Sequence, residues 1–216
     1  MKNIFFDLDG TIIDSGEGII NSLRYCYRQE KLSVPLDEVL RKYIGPPLID
    51  SFQKYSNVDP ENPLSQRLLA NFQKFYTETG WKQLTIYPQV IDLLIALKEK
   101  GYRSFITTAK PEPHAIKIID YLNLNSYFSG IYGADLSEEM PKSKIIATAL
   151  RSEQITDPND VIMVGDRDTD VLGAKANKIN TIGVLYGYGT DNELKSSGAI
   201  ATIEQPLDLI NLISSK

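Results

Sequence analysis

Residues 3–11 read Asn-Ile-Phe-Phe-Asp-Leu-Asp-Gly-Thr, and this is the most informative stretch of the chain. Asn3–Leu8 has the apolar, β-rich character of a strand buried in a parallel sheet, and Gly10 ends that strand. Side chains at i and i+2 share one side of a strand, so Asp7 and Asp9 can reach one small ligand. In open α/β sheets, ligands bind at the carboxyl ends of strands. The stretch therefore indicates a phosphoryl-transfer site, with an acidic turn as the alternative interpretation.

The composition is that of an ordinary globular protein. Of 216 residues, 42% are hydrophobic and 24% are charged, so we expect one large domain or two modest domains with a real core. The net charge of −5 argues against a nucleic-acid partner. No stretch approaches the roughly 18 apolar residues of a membrane span, and the N-terminus lacks a signal-peptide core. We therefore expect a cytoplasmic protein with no membrane partner.

From about Tyr87 onward, apolar strands alternate with helical patterns. The pattern predicts helices at 88–100, 112–122, 142–151, 169–176 and 207–213, and strands at 103–107, 128–132, 161–164 and 181–185. This alternation is typical of an α/β fold with a doubly wound parallel sheet, that is, a Rossmann-like core.

Residues 16–83 differ from the rest, because they show only helical periodicity. Breaks at Gly45-Pro46-Pro47 and at Gly80 divide the segment into several helices. We therefore expect a small all-helical cap domain at residues 15–83, inserted into an α/β catalytic core of residues 1–14 and 84–216. A helical bundle over the carboxyl edge of the first strand can act as a lid.

More polar groups follow the later predicted strands. Residues 107–110 read Thr-Thr-Ala-Lys and offer a hydroxyl and backbone N–H groups to a phosphate oxygen. Lys142 opens a helix, where a cation opposes the helix dipole unless an anion lies beside it. Asp166 and Asp170 follow the strand at 161–164 and can turn toward one point. Clustered carboxylate oxygens of this kind suit Mg²⁺.

Taken together, these features resemble the haloacid dehalogenase-like hydrolases. The four motifs, in that family's order, are Asp-Leu-Asp-Gly-Thr at 7–11, a hydroxyl after the second strand, a Lys before a later helix, and Gly-Asp-x-x-x-Asp at 165–170. The helical insert is similar to that of the phosphoglycolate phosphatase-like branch. The resemblance covers essentially the whole chain. It implies a Mg²⁺-dependent phosphatase that hydrolyses a small phosphorylated metabolite through an aspartyl-phosphate intermediate, as a monomer or a homodimer.

The resemblance also implies individual roles. Asp7 becomes the nucleophile that attacks phosphorus, and Asp9 becomes the general acid and then the general base. The implied ligands of Mg²⁺ are Asp7, the backbone carbonyl of Asp9, and Asp166. Asp170 lies outside this set and either orders a bound water or orients Lys142.

A further set of residues is expected to bind the transferring phosphoryl group. Its members are Thr108, Lys142, Gly10 and Ala109. Thr107 competes with Thr108, which is preferred because residues 108–111 align with the family's Thr-Asn-Lys-Pro pattern. Ala109 replaces the Asn of that pattern, so an amide contact is in doubt. Lys144 competes with Lys142, whose place at the start of the helix fits the family spacing better.

Substrate specificity is assigned to three positions. Arg41 and Gly45 belong to a segment that resembles the cap loop facing the active site in the phosphoglycolate branch, although a solvated helix face is an equal alternative for Arg41. Lys110 is a candidate at the rim. Two further features have two interpretations each. Asp168 is predicted to cap a helix rather than to bind the metal, and residues 186–189 are predicted to form a turn rather than to line the entrance of the site.

Several other functions fit the same core. A 5'-nucleotidase or a pyrophosphatase shares all four motifs. A β-phosphoglucomutase-like phosphotransferase is less favoured, because those mutases usually carry Val at the position of Thr11. A non-catalytic phosphate-binding module is disfavoured most, because every motif position holds a chemically competent residue.

Overall fold

The computed structural model of the chain describes residues 2–135 and 140–214. Its strands are β1 (Asn3–Phe6), β2 (Ile13–Asp14), β3 (Thr85–Ile86), β4 (Arg103–Pro111), β5 (Phe128–Ala134), β6 (Val161–Gly165), β7 (Asn180–Val184) and β8 (Ala201–Ile203). Its helices are α1 (Gly16–Gln29), α2 (Asp37–Leu40), α3 (Leu48–Ser56), α4 (Pro63–Glu78), α5 (Val90–Glu99), α6 (Glu112–Tyr121), α7 (Lys142–Ser152), α8 (Asp168–Ala176), α9 (Asp191–Ser197) and α10 (Asp208–Ser214). Within the described ranges, none of these helices is long and apolar enough to cross a membrane.

Six strands form one parallel sheet in the order β5-β4-β1-β6-β7-β8. The register places Phe6, the last residue of β1, between Ile106 of β4 and Val164 of β6. The strand order changes direction at β1, and ligands of doubly wound sheets bind at such a switch point. The predicted α/β class with a doubly wound sheet is confirmed.

The central strands pack through large apolar side chains on one face of the sheet. Phe5 and Phe105 meet edge to face with ring centroids 5.4 Å apart. Met163 of β6 and Ile146 of α7 belong to the same buried cluster. This packing holds β1 rigidly between its neighbours, so the residues that follow Phe6 start from a defined position.

The predicted elements of the α/β region lie within two residues of the observed ones, with one clear exception. Strand β4 does not end at Thr107 but continues to Pro111. It remains paired with β5 across an irregularity between Thr107 and Pro111, so local sequence signals placed its end too early. The pattern also missed α9 and β8, which have only seven and three residues.

The chain divides into two compact units. One comprises Met1–Ile13 and Ile86–Lys216, and the other comprises Asp14–Thr85. These bounds lie within two residues of the expected division. The assignment of the two units as catalytic core and cap stays a prediction.

The Asp14–Thr85 unit is built from α1 to α4. Helices α1 and α4 pack closely, with the rings of Tyr25 and Phe75 stacked at 5.1 Å. On the interior side, the hydroxyl of Tyr27 lies 2.9 Å from that of Tyr43 and 2.5 Å from that of Ser56. Ring packing and this hydroxyl network give the helical unit its own interior.

Candidate active site

A buried ammonium group lies between two carboxylates at the carboxyl edge of the sheet. Lys142, the first residue of α7, places Nζ 2.8 Å from Oδ1 of Asp7 and 2.7 Å from Oδ1 of Asp170. Its side chain is only 5% exposed. Burial alone would lower the pKa of Lys142, but attraction from Asp170 and Asp7 outweighs it and raises that pKa. Lys142 is therefore held as a cation next to Asp7.

The alternative lysine lies elsewhere. Lys144 is exposed, two residues along the same helix. Helical geometry places residues two apart on different faces, so Lys144 and Lys142 cannot serve the same site. The structure favours Lys142 as the lysine next to Asp7.

Three carboxylates form one cluster at this edge of the sheet, and two of them, Asp7 and Asp170, contact the Lys142 ammonium. Oxygen atoms of Asp7, Asp166 and Asp170 lie within 4.8 Å of one another. Burial raises the pKa of Asp7, and the charge of Asp170 raises it further, although Lys142 opposes both effects. The pKa of Asp166 is raised well above its usual value, first by burial and then by Asp170 and Asp7. The cluster therefore has more negative charge than Lys142 can balance.

This charge excess fits a divalent cation. Oδ2 of Asp166 accepts the backbone N–H of Tyr188 at 2.8 Å. Oδ1 of Asp166 is buried, and no group in residues 2–135 or 140–214 forms a hydrogen bond with it. A buried, unpartnered carboxylate oxygen among other carboxylates is the kind of ligand that Mg²⁺ takes in proteins. The residues present fit a magnesium ion at Asp7 and Asp166.

Asp170 has contacts at both of its oxygens. Oδ1 faces Lys142, while Oδ2 accepts the backbone N–H of Arg167 at 3.1 Å and completes a capping box at the start of α8. Of the two roles expected for Asp170, this geometry supports the orientation of Lys142. The same geometry corrects the prediction that Asp168 caps the helix. Asp168 is the first helical residue, and its N–H donates to Glu193 at 3.0 Å.

The two candidate threonines of β4 have different surroundings. The hydroxyl of Thr107 lies 3.5 Å from Sδ of Met163 on β6, so it is turned into the sheet interior. Thr108 points to the other side of the strand and accepts the N–H of Lys110 at 3.2 Å. The two hydroxyls therefore lie on opposite sides of β4, and the role of Thr108 in binding phosphate stays a prediction.

Lys110 contacts Asp9, and its role in substrate specificity stays a prediction. Its Nζ lies 3.1 Å from Oδ2 of Asp9, and its side chain is 9% exposed. The continuation of β4 to Pro111 carries Lys110 to residues 7–12, which follow β1 and are called the β1 loop below. Sequence reasoning missed this pair, because the strand was expected to end at Thr107.

Four predicted site residues remain. Gly10 and Ala109 belong to the α/β unit, whereas Arg41 and Gly45 belong to the helical unit. Gly10 has a φ of +81°, and a Cβ there would overlap the carboxylate of Asp166, so this glycine permits the β1 loop to approach that ligand. Ala109 is exposed on β4. Arg41 and Gly45 belong to the Asp14–Thr85 unit, and their roles in specificity stay predictions.

Asp166→Asn is expected to stabilise the metal-free protein by about 1–3 kcal/mol. Folding raises the pKa of Asp166 above 3.8, so the protonated carboxyl is the form that the folded state favours. The contribution of Asp166 to the free energy of unfolding is therefore complete below pH 3.8 and is lost as the pH rises through the folded-state pKa. The gain from asparagine should therefore be larger at pH 8 than at pH 5. Urea unfolding in EDTA measures it.

Two comparisons make this prediction specific. In saturating Mg²⁺ the order should reverse, because only the native protein gains the binding free energy of the ion. Asp168→Asn in the same loop should slightly lower stability, because a carboxylate in the first turn of α8 is favourable. Equal stability of Asp166→Asn and the native protein in EDTA would contradict the excess of charge.

The chain is similar to known proteins over nearly its whole length. A family model described as haloacid dehalogenase-like hydrolase matches residues 4–184. The chain is 31% identical over 195 residues to a 5'-nucleotidase of Pseudomonas aeruginosa, covering 90% of this chain and 87% of that protein. It is 30% identical over 217 residues to a phosphoglycolate phosphatase of Aquifex aeolicus, covering 100% and 98%. A crystal structure of a predicted phosphatase from Clostridium acetobutylicum superposes with a TM-score of 0.91 at 33% identity, covering 100% and 99%.

Proposed function

Because this chain belongs to the haloacid dehalogenase-like hydrolases and is a phosphoric monoester hydrolase, we propose that Asp7 and Asp9 carry out its reaction. The observation that carries the proposal is the position of Lys142, bound to Asp7 and Asp170 at the switch point of the sheet. A nucleophile, a fixed cation and a metal-binding carboxylate are what phosphoryl transfer requires.

The proposed reaction has two halves. In the first, a carboxylate oxygen of Asp7 attacks phosphorus, the bond to the ester oxygen breaks, and the leaving alkoxide takes a proton from Asp9. In the second, Asp9 accepts a proton from water while that water attacks the aspartyl-phosphate. Asp7 is regenerated, and the sum is hydrolysis of the ester to an alcohol and phosphate.

The negative charge of the transferring phosphoryl group is stabilised by residues that are held in place before the substrate binds. Lys142 supplies the ammonium, and Asp170 holds it in place at 2.7 Å. We place the Thr108 hydroxyl and the backbone N–H of Ala109 around the other phosphoryl oxygens. Gly10 is expected to lie beside the phosphoryl group, while its own N–H donates to the carbonyl of Ile13 at 2.8 Å. Preorganised donors of this kind act most strongly when charge develops in the transition state.

Asp7, Asp166 and the backbone carbonyl of Asp9 would hold Mg²⁺. When bound, the ion neutralises phosphoryl charge that would otherwise repel Asp7. The unpartnered Oδ1 of Asp166 supports this assignment.

The relatives support two candidate substrate classes. Similarity to a phosphoglycolate phosphatase supports a small phosphorylated carboxylic acid, and 31% identity to a 5'-nucleotidase supports a nucleoside monophosphate as the second candidate. A screen of Mg²⁺-dependent phosphate release compares kcat/KM for phosphoglycolate, nucleoside monophosphates, sugar phosphates and pyrophosphate, because that ratio measures discrimination. Transfer of phosphate to a second hydroxyl would instead indicate a phosphotransferase.

Asp9→Asn is expected to lower kcat for an alkyl phosphate by about 10²-fold or more, because the leaving alkoxide then lacks its proton donor. The loss in the phosphorylation half-reaction should be much smaller for p-nitrophenyl phosphate, whose leaving group needs little protonation. Single-turnover measurements with both esters test this, and Mg²⁺ binding should persist. Equal losses for the two esters would contradict the role of Asp9 as the acid.

A further inference from the structure

The loop after β7 contributes no residue to the proposed reaction. It nevertheless contacts two segments that contain proposed active-site residues. This loop, residues 186–189, reads Tyr-Gly-Tyr-Gly, and we refer to it as the post-β7 loop. It lies beside Asp166, the proposed magnesium ligand, and beside the β1 loop that carries Asp7 and Asp9. The sequence of this loop predicts a turn.

Its first contact is with Asp166. The backbone N–H of Tyr188 donates to Oδ2 of Asp166 at 2.8 Å. A Cβ at Gly187 would overlap Cβ of Asp166, and a Cβ at Gly189 would overlap the backbone carbonyl of Asp166. Two glycines thus permit the loop to pack directly on this residue. The contact engages one carboxylate oxygen and leaves Oδ1 for a ligand.

Its second contact is with the β1 loop. The hydroxyl of Tyr186 donates to the backbone carbonyl of Thr11 at 3.2 Å. A Cβ at Gly187 would also overlap the carbonyl of Gly10. The ring of Tyr186 packs against that of Tyr87, with centroids 5.0 Å apart.

We propose that the post-β7 loop sets the affinity of the enzyme for Mg²⁺ by fixing Asp166 against the β1 loop, with Tyr186 and Gly187 as positioning residues. The inference rests on the proposed function, in which Asp7 and Asp166 share the ion. Groups that orient a metal ligand typically change metal affinity by about 10- to 100-fold when they are removed. The loop contacts Asp166 on one side and Gly10 and Thr11 on the other, so it constrains the distance between Asp166 and the segment that follows Asp7.

Calorimetric titration of the substrate-free enzyme with MgCl₂ tests the proposal. Gly187→Ala inserts a methyl group between Asp166 and Gly10, and we expect Mg²⁺ binding weaker by about 10- to 100-fold. Tyr186→Phe removes one hydrogen bond, and we expect a loss of about threefold to tenfold. The matched control is Tyr132→Phe, which removes a hydroxyl bonded to Glu153 at 2.6 Å and should leave Mg²⁺ affinity unchanged.

Kinetics separate positioning from a direct role. At saturating Mg²⁺, Tyr186→Phe should recover most of the native kcat, while the Mg²⁺ concentration for half-maximal activity rises in step with the binding constant. Circular dichroism checks that Gly187→Ala is folded. If Gly187→Ala does not fold, the Mg²⁺ affinity of Tyr186→Phe alone tests the role of the loop. Unchanged Mg²⁺ affinity in folded Tyr186→Phe and Gly187→Ala would overturn the inference.

Asp166→Asn distinguishes this failure from a failure of the proposed function. If that variant loses Mg²⁺ binding while the loop variants keep it, the site is correct and the role of the loop is wrong. If all three variants bind Mg²⁺ like the native enzyme, the assignment of Asp166 as a ligand is wrong, and the loop inference falls with it.

Discussion

Replacing Asp7 with asparagine is expected to lower Mg²⁺-dependent phosphate release by at least about 10⁴-fold, because the reaction then lacks its nucleophile. Asp7 lies at the carboxyl end of β1, and its Oδ1 is 2.8 Å from Nζ of Lys142. The neutral amide cannot form the acyl phosphate. We do not expect the loss of activity to come from unfolding. Burial disfavours the charged form of Asp7 and raises its pKa, so a neutral asparagine of similar size should be tolerated there.

Two measurements establish the role of Asp7. Acid quenching after mixing with a ³²P-labelled ester should trap a labelled protein from the native enzyme and none from Asp7→Asn. The control is Asp168→Asn, which changes a carboxylate in the acidic loop at the start of α8 and should retain activity. Substantial turnover by Asp7→Asn would show that another group, or water itself, attacks phosphorus.

The second large effect is expected for Lys142→Met. The loss in kcat/KM should reach about 10³-fold, because the variant lacks the ammonium that stabilises the phosphoryl group in the transition state. Stability should fall as well. Removing one partner of a buried ion pair typically costs about 3–5 kcal/mol, and here it leaves Asp7 and Asp170 without their counter-charge.

The pH dependence of this stability loss has a defined direction. Without Lys142, the folded-state pKa of Asp7 should rise further above its unfolded value, so the carboxyl is stable only when it is protonated. The difference in unfolding free energy from the native protein should therefore be larger at pH 8 than at pH 5. Urea unfolding at both pH values, in EDTA, measures it.

Lys144→Met is the matched control for Lys142→Met. Lys144 lies on the same helix and is exposed, so its replacement should change stability by less than about 0.5 kcal/mol and leave kcat/KM close to native. Similar losses in the two variants would mean that helix α7, rather than the Lys142 ammonium, is responsible.

Much of the site could be predicted because its signals are local. The apolar run before Asp7, the glycine after Asp9 and the spacing of Asp166 and Asp170 are all readable within ten residues. Parallel strands then bring their carboxyl ends to one edge, so residues distant in sequence were expected to meet. The choices between Thr107 and Thr108, and between Lys142 and Lys144, depend on the phase of a strand and of a helix. In the structure Lys142 contacts Asp7, and Thr107 and Thr108 point to opposite sides of β4. The roles of Lys142 and Thr108 in binding phosphate stay predictions.

Other features depend on contacts that no local pattern encodes. Asp168 has the residue type and position of a helix cap, yet Asp170 takes that role, because its side chain reaches back to the Arg167 N–H. Lys110 pairs with Asp9 because β4 continues past the point where its apolar residues end. Both results follow from backbone geometry that neighbouring elements impose.

The sequence by itself determined the α/β class, the place of the helical insert and the residue types of the site, because periodicity and strand ends are local properties of the chain. Only the tertiary structure decided which groups touch. Lys142 lies between Asp7 and Asp170, and Tyr188 holds Asp166, because the strand order β4-β1-β6-β7 brings four loops to one edge. Hydrogen bonds and ion pairs depend on separations of a few tenths of an ångström, which only the packed sheet and its helices can set.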